Sequence, residues 1–121
     1  MLKEFKSVTQ KDKKGYRRWF DDEYFDLIVW YDRAGKIEGF QLCYDKFKDE
    51  HAITWRSKSG FSHDRIDDGE NFVGSNMTPI LVSDGQFPYQ EIIRRFEASS
   101  ERIDPQVASF VLEQLRKYPS S

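Results

Sequence analysis

One histidine, three aspartates and a glutamate fall within the eleven residues Gly60-Phe61-Ser62-His63-Asp64-Arg65-Ile66-Asp67-Asp68-Gly69-Glu70. An imidazole beside carboxylates can hold a divalent metal, or can act as a general base with an orienting acid. In that chemistry His63 is base or ligand, and Asp67, Asp68 and Glu70 are ligands or orienting groups of a small metal-dependent hydrolase. An EF-hand is excluded. Aligning Gly69 with the glycine of such a loop puts Ile66 where an oxygen ligand must stand and Ser75 where the bidentate glutamate belongs. The same stretch also reads as a solvated turn whose Asp side chains bond their own backbone. His51, the other histidine, opens the run His51-Ala52-Ile53-Thr54-Trp55-Arg56 and shares a face with Ile53 and Trp55. It would join His63 in a two-histidine site only if that strand folds back on the segment carrying His63.

Two further groups of residues carry chemistry. Lys11, Lys13, Lys14, Arg17 and Arg18 stand beside Tyr16, Trp19 and Phe20, the mixture of cations and stacking rings that binds single-stranded nucleic acid. The following Asp21-Asp22-Glu23, a net charge of -2 and a pI near 5.7 argue against that use, because affinity for phosphates comes mainly from Lys and Arg. Asp26 and Gln41 interrupt otherwise apolar runs. A buried carboxylate there needs a partner, and Arg17, Arg18 and Arg56 are the candidates. No phosphate-cradling glycine loop, nucleophile elbow or His-Glu-x-x-His motif occurs, and Cys43, the single cysteine, sits in a strand as a small hydrophobe. No disulfide, no cofactor and no assigned metal site are expected.

These groups are positioned by an antiparallel framework. The turn Asp32-Arg33-Ala34-Gly35-Lys36 predicts a three-residue hairpin loop with Gly35 in the left-handed region. Counted back from it without interruption, Tyr31 faces Ile37, Val29 faces Gly39, Ile28 faces Phe40 and Phe25 faces Cys43. Alternation then puts Phe25, Leu27, Val29, Tyr31, Ile37 and Cys43 on one face and Tyr24, Ile28, Trp30, Phe40, Leu42 and Tyr44 on the other. In this register neither face suits water.

Around the hairpin, Phe5 to Thr9 reads as a short edge strand, Tyr16 to Phe20 as a second, and His51 to Arg56 and Pro79 to Val82 as later ones. Lys58 to Asn76 reads as a long irregular connection with one short strand near Phe61 to Ile66. The loops of three to six residues make neighbours antiparallel. Two helices close the chain. The first spans Pro88 to about Ala98, with Tyr89, Ile92, Ile93 and Phe96 on one side. The second has Asp104 as N-cap, Pro105 at the first helical position, apolar Val107, Phe110, Val111, Leu115 and Tyr118, and Pro119 as its stop. The expectation is a single α+β domain over residues 1–121: an antiparallel meander of five to six strands followed by two helices packed on one face.

The strings Phe25-Asp26-Leu27-Ile28-Val29-Trp30, Gly60 to Glu70 and Met77-Thr78-Pro79-Ile80-Leu81-Val82 resemble a family of small uncharacterised bacterial proteins. That resemblance implies a bacterial cytoplasmic setting and carries no activity and no site residue.

With 38% hydrophobic residues but 16% aromatic ones, a core or a binding surface must lean on rings. Met1 to Gln10 lacks the apolar stretch of a secretory signal, and no window approaches a membrane span. A soluble, cytoplasmic protein is expected. Two helices cover one sheet face, which leaves the other for self-association or for a protein or small-molecule ligand. The leading expectation is therefore a non-catalytic binding or assembly domain, a homodimer, with Trp19, Tyr24, Trp30, Phe40, Tyr44 and Trp55 as its binding residues. Metal-dependent hydrolysis stands second and single-strand binding through Lys11 to Phe20 third.

Overall fold

The structure, a computed structural model, describes residues 1–5, 16–67, 80–83 and 87–118, of which 66–67 and 80–83 as backbone. Seven strands run β1 (Lys3–Glu4), β2 (Tyr16–Asp21), β3 (Phe25–Tyr31), β4 (Ile37–Tyr44), β5 (His51–Arg56), β6 (Gly60–Asp67) and β7 (Ile80–Ser83), followed by α1 (Tyr89–Ser99) and α2 (Pro105–Arg116). Spatial order equals chain order and every pairing is antiparallel. The expected α+β meander with two C-terminal helices is what the chain forms. Of the edge strand expected over Phe5 to Thr9, Phe5 follows β1 and the rest lies outside the described residues. None of the helices is long and apolar enough to cross a membrane, among the described residues.

The hairpin turn folds as its residues predict. Gly35 has φ +84, its N–H donates to the Asp32 carbonyl at 3.0 Å, and the Asp32 carboxylate accepts from the Ala34 and Lys36 N–H groups at 2.9 Å each. Tyr31 faces Ile37, and then the register shifts: Trp30 faces Gly39, Val29 faces Phe40, Leu27 faces Leu42 and Phe25 faces Tyr44. Glu38 is the extra residue of a β-bulge. A slip of one residue moves a whole strand's side chains to the opposite face. The uninterrupted register is thereby corrected: Phe40, Leu42 and Tyr44 join Phe25, Leu27, Val29 and Tyr31 on a single face, all of them buried. Burying a large apolar side chain contributes about 2 kcal/mol, and three such gains outweigh the ladder bonds disturbed at the bulge.

Both helices pack on that face. Phe96 of α1 meets the Phe25 ring edge-on at 5.8 Å, Phe110 of α2 meets Trp55 at 5.3 Å, and Tyr118 meets Phe61 at 5.3 Å. The buried sides of α1 (Ile92, Phe96) and α2 (Val107, Val111, Leu115) close one core with the strands. Asp104 caps α2 by accepting from the Gln106 N–H at 2.9 Å. It also accepts from Arg18 at 3.0 Å, while the same guanidinium donates twice to Glu4, at 2.8 and 2.9 Å. Arg18 thus ties β1, β2 and α2 together, and its charge is used within the fold.

The opposite face is finished by its own polar groups. The Arg56 guanidinium covers the Trp30 ring at 4.4 Å, and Gln41 donates to the Thr54 hydroxyl at 3.2 Å. Trp19, Ile28 and Trp30 are half-buried there. Asp26 pairs with Lys46 at 3.4 Å rather than with an arginine of a neighbouring strand. Burial raises the Asp26 pKa, and the Lys46 ammonium opposes that rise.

Candidate functional site

The short strand expected near Phe61 to Ile66 is present and somewhat longer, and residues 68–79 of the connection lie outside the described residues. Gly60–Asp67 forms β6, with His51 opposite Arg65 and Ile53 opposite His63. Alternation puts His63 on the helix-facing side, where it is 7% exposed. Asp67 ends β6 opposite Ile80, and Asp68 and Glu70 lie outside the described residues. The fold-back that would bring the two histidines together does occur, because β5 and β6 are hairpin partners joined at Ser57–Ser59.

Tyr44, the last residue of β4, faces His51 across the ladder. The three rings lie nearly parallel: Tyr44 to His51 at 5.7 Å and 17°, Tyr44 to His63 at 6.0 Å and 6°, His51 to His63 at 5.4 Å and 13°. The Tyr44 hydroxyl and His63 Nε2 are hydrogen-bonded at 2.6 Å. His51 Nδ1 lies 2.7 Å from the Asp49 carbonyl oxygen. A carbonyl only accepts, so Nδ1–H is the donor in this bond. Phe87, leading into α1, backs the group at 5.4 Å from His63 and 5.9 Å from Tyr44.

Above these rings opens a cleft of about 670 Å³. Its walls are the Glu23-Tyr24 turn, the β4–β5 loop from Asp45 to Asp49, and α1 through Pro88, Glu91, Ile92 and Arg95. The loop turns sharply at Asp45, whose φ of 55 lies in the left-handed region that Asp tolerates better than most residues. The Asp45 carbonyl then accepts from the Lys48 and Asp49 N–H groups, at 3.3 Å each. This turn sends Lys46 beneath the loop, where Nζ donates to the Asp22 carbonyl at 2.8 Å and pairs with Asp21 and Asp26. Phe47 is left 81% exposed at the rim. On the helix wall the Arg95 guanidinium lies 4.5 Å over the Tyr24 ring, and its Nε donates to Glu91 at 3.3 Å. Burial pushes the Tyr24 phenol up, and the nearby Arg95 charge acts against that shift.

Set against known protein families, curated proteins and solved structures, the chain matches none.

Of the six aromatic residues expected to bind, Tyr24 and Tyr44 meet at the cleft. Phe40 is fully buried with Trp55 stacked on it at 6.0 Å, under the helices, whereas Trp19 and Trp30 lie on the far face. Among the described residues no group of three or more His, Cys, Asp or Glu side chains is arranged to hold a metal ion. Cys43 is buried and its thiol is pushed up to about 12, mainly by desolvation, which makes it a poor nucleophile. The basic stretch is divided: Lys11, Lys13 and Lys14 lie outside the described residues, and Arg18 is committed to Glu4 and Asp104. Sequence reasoning missed Arg95, Phe47 and Lys46 as cleft residues. Glu91 and Arg95 are spaced as an i,i+4 pair, but only the docking of α1 beside Tyr24 makes them a wall.

Proposed function

We propose that this protein is a non-catalytic binding domain whose site is the cleft between α1 and the Tyr44–His51–His63 floor, and whose ligand is a small molecule. The observation that carries the reading is the cavity itself. At about 670 Å³ it lies within the range of small-molecule sites, roughly 300–1,000 Å³, and a few polar groups converge on it from rigid elements. Tyr44, His51 and His63 stand on neighbouring strands, so their relative positions are set by the ladder rather than by a loop. Phe47 offers apolar contact at the entrance. The reading does not draw on self-association through a second apolar face, because the bulge at Glu38 gathers the large side chains of the hairpin on the helix-covered one. It draws equally little on a metal cluster at Asp67, Asp68 and Glu70.

The test is a fragment screen by two-dimensional NMR on the parent and on Glu91→Trp, which fills the cleft from an exposed helix position. Fragments should shift the signals of Tyr44, His51 and His63 in the parent and lose that effect in the variant. Shifts confined to other regions, or unchanged binding to Glu91→Trp, would refute the reading.

A further inference from the structure

Arg95 is half-exposed on the cleft wall, yet its guanidinium is already oriented. The ring of Tyr24 supports its flat face at 4.5 Å, and Glu91 takes its Nε at 3.3 Å. Among the described residues its two Nη groups make no hydrogen bond. A guanidinium held flat, with its Nε engaged and its Nη pair unused, is a planar fork that matches the two oxygens of a carboxylate or phosphate. Lys48, exposed on the opposing loop, also has no ionic partner among the described residues. The third cleft cation, Lys46, is turned away and neutralised by Asp21 and Asp26.

Four carboxylates, those of Glu23, Asp45, Asp49 and Glu91, also line the cleft. Glu91 is the group that orients Arg95, and Glu23 lies 3.8 Å from the N-terminal ammonium. We propose that the cleft takes a ligand bearing an oxyanion, a carboxylate or a phosphate, with the Nη groups of Arg95 as its bidentate anchor and Lys48 as a second positive charge. The rest of the ligand then lies over the Tyr44–His51–His63 floor. The proposal rests on the cleft being a ligand site, and it names the ligand's charged group.

The probes are inorganic phosphate, acetate and an uncharged control, acetamide, titrated into the full chain while the Arg95 Nε–H and the backbone signals of Tyr44, His51 and Arg95 are followed by NMR. The parent should show saturable shifts with at least one anion and none with acetamide, and the better anion tells phosphate from carboxylate ligands. Arg95→Lys keeps the charge and loses the fork. It should weaken binding at least about tenfold, equivalent to about 1.4 kcal/mol, while melting like the parent because the side chain is half-exposed. Equal binding by Arg95→Lys, or no saturable shift with either anion, would overturn the proposal. If uncharged fragments still occupy the cleft in that case, only the oxyanion assignment fails; if nothing occupies it, the ligand-site reading fails as well.

Discussion

Replacing Gly39 with alanine tests the hairpin register, and with it the placement of Tyr44. Gly39 is buried, opposite Trp30 on one side and Arg56 on the other. A Cβ built there would stand 2.8 Å from the Trp55 carbonyl oxygen, 3.2 Å from Trp30 Cε3 and 3.4 Å from Arg56 Cγ. The first contact is with backbone inside the ladder, so the side chain cannot simply swing away. Either β5 moves or Trp30 is forced from beneath Arg56. Overpacking of this kind costs about 1–3 kcal/mol, and the lower entropy of an unfolded chain with alanine in place of glycine returns about 0.4–1 kcal/mol. Because the closest contact is with backbone, the cost lies in the upper part of that range, about 2–3 kcal/mol, and with about 1 kcal/mol returned the net expectation is a loss of about 1–2 kcal/mol. For a chain of 121 residues the unfolding entropy is about 0.25 kcal/mol/K, which converts that loss into a fall of about 4–8 °C in Tm, measured by circular dichroism. Gly35→Ala is the companion. Nothing lies within 4 Å of the new Cβ, and the cost there is only that of holding alanine at φ +84, about 1 kcal/mol. A Gly39→Ala protein melting within about 1 °C of the parent would refute the closure of the sheet at this residue and the bulge that produces it.

Tyr44→Phe removes the hydroxyl bonded to His63 while keeping the ring, and urea unfolding should show a loss of about 1–3 kcal/mol; an unchanged midpoint would mean that the 2.6 Å bond contributes nothing to folding. Asp104 has a lowered pKa, chiefly through its hydrogen bond with Arg18 and then through the Gln106 N–H. Its contribution is fully present above the unfolded carboxylate value of about 3.9 and is lost as the pH falls through the lower folded value. Asp104→Asn, which keeps a good N-cap, should therefore lose stability at neutral pH and show a shallower loss below about pH 4, followed by thermal melting across that range.

The sequence discloses the parts of this fold that are decided locally. Asp32 through Lys36 carry their own turn chemistry, and Asp104-Pro105 begin α2 by a cap and a proline whose effects need no distant partner. The bulge at Glu38 is different. No residue from Ile37 to Gly39 demands it, and it is selected because Phe40, Leu42 and Tyr44 then face the helices together. β6 escaped full recognition because its alternation is concealed: His63 is a polar residue at an inward position, Ser62 and Asp64 point outward, and only Phe61 and Ile66 mark the strand as apolar. The meeting of His51 and His63 depends on that hidden strand. Asp26 acquires Lys46 as its partner through the path of the β4–β5 loop, which spacing alone does not specify.

The consecutive order of the strands separates the making of the sheet from the making of the site. Each described hairpin from β2 to β6 closes a short loop, a step with a small entropic cost. The floor of the cleft can therefore be laid strand by strand, from Tyr44 to His51 to His63. Its far wall cannot, since Glu91, Ile92 and Arg95 come from a helix that must return across the finished sheet to Tyr24. The cleft is complete only where α1 docks, and anything bound there holds closed the return of the chain from Tyr24 to Arg95.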